Sequence, residues 1–146
     1  MTTKENIGRA EFPPGYTPAK EVVVDDALKL AVAMHRANGL DDAETVYGRI
    51  LSVAPDHADA LHFMGVLQHQ RGRSEDALRL IRRSIVMNAA VPDWHNNLGN
   101  VLLETGQLDP AANAYEEAAR LAPDRADIVN NLGVLRREQE IGRAHV

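Results

Sequence analysis

The tetrapeptide Asn-Asn-Leu-Gly occupies residues 96–99 and returns at 130–133, a spacing of 34 residues. Recurrence at a fixed distance constrains a fold tightly, because each copy must take the same local structure and stack on the last. Shifting the chain on itself by 34 aligns further columns. Leu30, Met64, Leu98 and Leu132 share one, and Ala31, Gly65, Gly99 and Gly133 the next. Asn38, Gly72 and Gly106 form a turn column; Ala43, Ala77 and Ala111 follow, then Tyr47, Ile81 and Tyr115. Pro55 and Pro123 close the first and third units, with Ala89 in that place in the second. Between these marks apolar residues recur at three and four, the helical period, so the turn column splits each unit into two helices of about 14 residues.

Each column has a physical reason. A small residue at Ala31, Gly65, Gly99 and Gly133 lets two helices approach where a larger side chain would hold them apart. Ala43, Ala77 and Ala111 serve the same end from the second helix. Proline ends one unit and opens the next, since it fits the first turn of a helix but not its interior. Asp56 and Asp124 then stand where an N-cap is wanted. Leu98 is expected to be buried between the two helices of its unit.

Composition narrows the function classes. Hydrophobic content of 45% and charged content of 25% are those of a soluble globular chain, and aromatics at 4% leave packing to alanine and leucine. Without cysteine there is no disulfide framework, thiolate zinc site or thiol nucleophile. The net charge of −5 argues against a nucleic-acid partner. No apolar run approaches the roughly 18 residues of a membrane span. The opening "MTTKENIGRAEFPPGY" lacks the apolar core of a signal peptide, so a cytoplasmic protein is expected. Residues 1–21, with Pro13, Pro14, Gly15 and Pro18, read as a flexible leader.

The columns together resemble the tetratricopeptide repeat: Leu-Gly, a turn glycine, a second-helix alanine, an aromatic and a proline over 34 residues. The stretch "HNNLGNVLLETGQLDPAANAYEEAARLAPD" (95–124) carries the match, and units start near Val24, Ala58, Pro92 and Ala126. The resemblance covers 22–139 and implies an all-α, right-handed solenoid of three helix-turn-helix repeats plus one further helix. That is close to the minimum such an array needs for stability. Trp94 lies one place before the family's tryptophan column, Met64 replaces leucine, and Ser84 replaces a small alanine.

The fourth unit departs from the pattern at position 140, where a turn glycine is due and the chain reads "EIGRAHV". Back-translated as GAG ATC GGA AGA GCA CAC GTC, residues 140–146 resemble a common sequencing adapter. They are therefore expected to be an artefact on a truncated protein.

The search for chemistry is mostly negative. His62 and His69 share one helix and His35 lies 34 before His69, but no carboxylate-rich ligand set accompanies them, so no metal is expected. No phosphate loop, zinc-protease motif or nucleophile elbow is present, and neither a catalytic residue nor a cofactor is expected. The groove columns say more. The resemblance implies that the first helices line a concave surface, with the second, fifth, sixth, ninth, twelfth and thirteenth places of each unit facing in. The sixth place reads Lys29, Phe63, Asn97 and Asn131; the second reads Asp25, Asp59, Asp93 and Asp127.

An amide aimed into a groove can bond both the N–H and the C=O of an extended peptide. These columns, with "ADIVNNLGVLRREQ" (126–139), are similar to the repeat arm of O-linked N-acetylglucosamine transferases. That resemblance implies Asn97 and Asn131, with their neighbours Asn96 and Asn130, as peptide contacts. Asp25, Asp59, Asp93 and Asp127 would then tune side-chain choice. Lys29 and Phe63 break the asparagine column, so the ladder is half present. Two alternatives stay open: asparagine pairs generic to the repeat, and aspartates that only cap helices, since Asp56 with Asp59 and Asp124 with Asp127 have capping-box spacing. A clamp for acidic chaperone tails would need basic residues where Asp93 and Asn97 stand. The expected function is a protein-interaction module binding an extended segment, the alternative the recognition arm of a truncated glycosyltransferase.

Overall fold

The computed structural model describes residues 20–144, with side chains from Val23 onward. The leader expected over residues 1–21 lies outside the described residues as far as residue 19. Seven α-helices follow among the described residues: α1 (Lys20–Arg36), α2 (Leu40–Val53), α3 (Ala58–Gln70), α4 (Ser74–Met87), α5 (Pro92–Glu104), α6 (Leu108–Leu121) and α7 (Ala126–Ala144). They form an all-α solenoid of helix pairs.

The turn column explains how each pair closes. Asn38, Gly72 and Gly106 are left-handed, with φ of 63°, 77° and 77°. That conformation turns the next N–H back onto the helix. Gly39, Arg73 and Gln107 donate to the carbonyls of Met34, Gln68 and Leu102 at 2.8, 2.9 and 2.9 Å, the same closure three times. Glycine adopts it freely, and asparagine tolerates it better than most residues.

Every helix packs on the next in sequence. The first helices also meet one another directly, α1 on α3 and α3 on α5, while no comparable packing joins α2 to α4 or α4 to α6. A double layer whose members sit closer on one side curves toward that side, so α1, α3 and α5 form the inner surface, and the hydrogen bond from Asn131 to Asn96 joins α7 to α5 on the same side.

The small-residue column seats the second helices. A methyl group on Gly65 would stand 2.7 Å from Ile81 Cγ1, and one on Gly99 2.5 Å from Tyr115 Cε1. Glycine is thus required at these two positions, under Ile81 and Tyr115. The buried hydroxyl of Tyr115 donates to Asn100 Oδ1 at 2.6 Å, and that of Tyr47 meets His35 Nδ1 at 3.0 Å. Gly133, in the fourth unit, has open space over it. Glu140 takes the turn glycine's place, and α7 continues as helix to Ala144.

Two local expectations are corrected. Leu98 is half-buried, packed against the core cluster rather than within it; in the same column Leu132 is buried and Leu30 is 42% exposed. One residue is about 100° on a helix, so the position before Gly99 lies at the edge of the packed seam, where Leu98 still meets the core cluster. The N-caps fall one residue later than Asp56 and Asp124. Pro55-Asp56 and Pro123-Asp124 occupy the centres of tight turns closed by His57 N–H to Ala54 C=O and Arg125 N–H to Ala122 C=O, each 3.1 Å. The caps are therefore His57, whose Nδ1 accepts from the Ala60 N–H at 3.2 Å, and Arg125, whose carbonyl accepts from Val129 at 3.1 Å. Neither capping box forms.

Candidate functional site

On the inner surface, four side-chain hydrogen bonds join residues 35 apart, one more than the repeat. Near the helix starts, Asn97 Nδ2 donates to His62 Nε2 at 3.0 Å, and Asn131 Nδ2 donates to Asn96 Oδ1 at 3.0 Å. Near the helix ends, His35 Nε2 donates to Gln70 Oε1 at 2.5 Å and His69 Nε2 to Glu104 Oε2 at 2.6 Å. In each case a fifth- or twelfth-place residue of one unit meets the sixth or thirteenth place of the next. The groove side chains are thereby stitched unit to unit.

Asn97 and Asn131 are half-buried, with one amide N–H each committed to the preceding unit. No described residue donates to either Oδ1. His62, the partner of Asn97, is 5% exposed and stacks on Trp94 at a centroid distance of 5.0 Å. Burial pushes its imidazole down to about 4, against the opposing pull of the Asp93 charge, so the ring is neutral at neutral pH. Its Nδ1 is buried and lacks a partner among the described residues. Trp94 owes its place, one before the family column, to this stack between units. Phe63 stacks with Tyr47 at 6.3 Å, which explains why packing displaces asparagine there.

The aspartate column divides. Asp93 and Asp127 are exposed and share Arg125, at 3.0 and 2.9 Å. The hydrogen bonds that Arg125 donates to Asp127 and Asp93 hold its guanidinium above its ordinary range, and they in turn hold the Asp127 carboxyl below its own. Asp59 and Asn130 are exposed and take no hydrogen bond or ion pair among the described residues. Sequence reasoning missed Arg125 because its column (His57, Val91, Arg125) has no periodicity. It also did not foresee His62 as the partner of Asn97. The three histidines have separate partners, and no three His, Cys, Asp or Glu side chains gather as a metal site among the described residues. No described helix is long and apolar enough to cross a membrane.

Comparison with known proteins agrees with this geometry. Family models described as "Tetratricopeptide repeat" and "TPR repeat" match residues 28–93 and 99–139. The Protein CTR9 homolog of Arabidopsis thaliana is 28% identical over 97 residues, covering 66% of this chain and 9% of that protein. The chain spans about a tenth of the length of the curated relatives it matches. An O-GlcNAc transferase from Thermobaculum terrenum (mutant K341M) is 29% identical with a TM-score of 0.76, over 82% of this chain and 23% of that one. The first tetratricopeptide domain of Spaghetti (RPAP3), bound to the HSP90 peptide SRMEEVD, superposes with a TM-score of 0.76 at 13% identity, over 80% and 93% of the two chains. With helices, turns, glycine seats and family models all keeping one 34-residue register, the chain belongs to the tetratricopeptide repeat family.

Proposed function

We propose that this chain is a non-catalytic interaction module, part of a longer protein, that takes an extended peptide or protein segment along its first-helix groove. The observation that carries the reading is the pair Asn97 and Asn131, one repeat apart on the inner surface and each with an unengaged carboxamide oxygen. A row of such groups at unit spacing matches the backbone of an extended chain rather than any one side chain. The peptide-bound relative supports peptide binding by this fold, while a clamp for an acidic tail would need basic residues where Asp93 and Asn97 stand in this chain. The net charge of −5 and the unpaired Asp59 favour cationic segments.

A library of spotted 12-residue peptides tests this. The variant Asn97→Ala/Asn131→Ala should lose about 1–3 kcal/mol of binding across the library, and it should also lose some stability, because Asn97→Ala leaves the buried His62 ring without its hydrogen bond. Asp59→Asn should flatten the preference for basic over acidic peptides and its salt dependence, more than Asp93→Asn, whose charge is already shared with Arg125. Identical profiles for all variants would contradict the groove reading.

The second reading, the recognition arm of an O-GlcNAc-transferase-like enzyme, is favoured by the 29% identity to such a transferase. It predicts that genomic DNA beyond codon 139 encodes further repeats and then a sugar-nucleotide domain. Further repeats alone would favour a scaffold.

A further inference from the structure

His62 is an unfavourable residue for its position. It is buried, its Nδ1 has no partner, and its ring contacts are aromatic: Trp94 on one side and Phe63 at 5.5 Å. A phenylalanine, which the chain uses at the next residue, would keep those contacts without burying an unpaired polar atom. The ring's one hydrogen bond is to Asn97. Asn96 does the same for Asn131 one unit later. A buried polar ring whose one hydrogen bond goes to a groove amide couples the packing between units to the orientation of that amide.

We infer that His62 and Asn96 are positioning residues of the groove. By gripping the amide nitrogens of Asn97 and Asn131 they set both carboxamides with Oδ1 outward, where backbone N–H groups of an extended segment reach them. The ligand class is thereby narrowed to a segment presenting unblocked backbone amides, and cationic side chains suit the acidic column beside it. This rests on the groove reading above.

The test uses a fluorescently labelled 12-residue peptide of alternating lysine and threonine, and the same peptide N-methylated at every second residue. Asn97→Ala should weaken binding of the first about tenfold. His62→Phe should weaken it about as much while raising the melting temperature. The double variant His62→Phe/Asn97→Ala should bind no worse than Asn97→Ala alone, because His62 acts through Asn97. Asn96→Asp keeps an acceptor for Asn131 and adds a charge that suits the lysines, so it should bind at least as tightly as wild type, whereas Asn96→Leu should lose about tenfold; this pair stands if His62→Phe fails to fold. The N-methylated peptide should not bind measurably.

Wild-type affinity in both His62→Phe and Asn96→Leu, additive losses in the double variant, or full binding of the methylated peptide would overturn the inference. If Asn97→Ala and Asn131→Ala are themselves silent, the groove reading fails first, and this inference with it.

Discussion

A buried histidine makes the chain sensitive to acid. The folded state holds His62 at about 4, below the ordinary value of about 6.5. Above pH 6.5 the ring is neutral folded or unfolded, and the stability is fully present. As pH falls the unfolded chain takes up a proton that the fold refuses, so stability declines until about pH 4 and then levels off. A shift of this size corresponds to roughly 3 kcal/mol in all, about 2 of it lost by pH 5. Urea midpoints at pH 7 and pH 5 should show that loss in the wild type and a much smaller one in His62→Phe. Equal losses in both would place the titration elsewhere. At this scale the sequence showed which residues recur but not which meet. The asparagine and aspartate columns could be read directly, since each is a fixed offset in the repeat. That Asn97 would bond His62, and Asn131 bond Asn96, depends on how far one unit is rotated on the next, and no single-chain periodicity encodes that rotation.

Among the elements, helix boundaries and turns were the most legible, because each column is a steric demand. The left-handed turn selects Asn38, Gly72 and Gly106, and the seat for Ile81 or Tyr115 selects Gly65 and Gly99. The burial of Leu98 was overestimated because a leucine column implies burial without saying how much: Leu132 is buried, Leu98 sits at the edge of the core and Leu30 is largely exposed. The N-caps were misjudged because Pro-Asp was read as a helix start when it forms the preceding turn. The glycine seats make paired predictions of opposite sign. Gly99→Ala drives a methyl group into the Tyr115 ring and should cost about 1–3 kcal/mol. Gly133→Ala meets open space on a helix and should stabilise by about 0.5–1 kcal/mol. Chemical denaturation of the two variants decides, and equal shifts would mean that the second helices do not seat on this column.

For the whole molecule, the curve of the stack follows from which helices touch, and four hydrogen bonds over its three unit boundaries stitch the groove places into one surface. The aromatic run from Tyr47 through Phe63 and His62 to Trp94 links the first three units beneath it. Such a surface can hold side-chain groups in register over several residues of an extended segment, which is the central claim. The most direct measurement is a side-chain and backbone amide NMR shift map on adding the lysine–threonine peptide. The account predicts that the carboxamide signals of Asn97 and Asn131 move together with backbone amides of α3, α5 and α7, while those of α2, α4 and α6 stay in place. Saturable shifts confined to the second helices, with both asparagine signals unmoved, would contradict it.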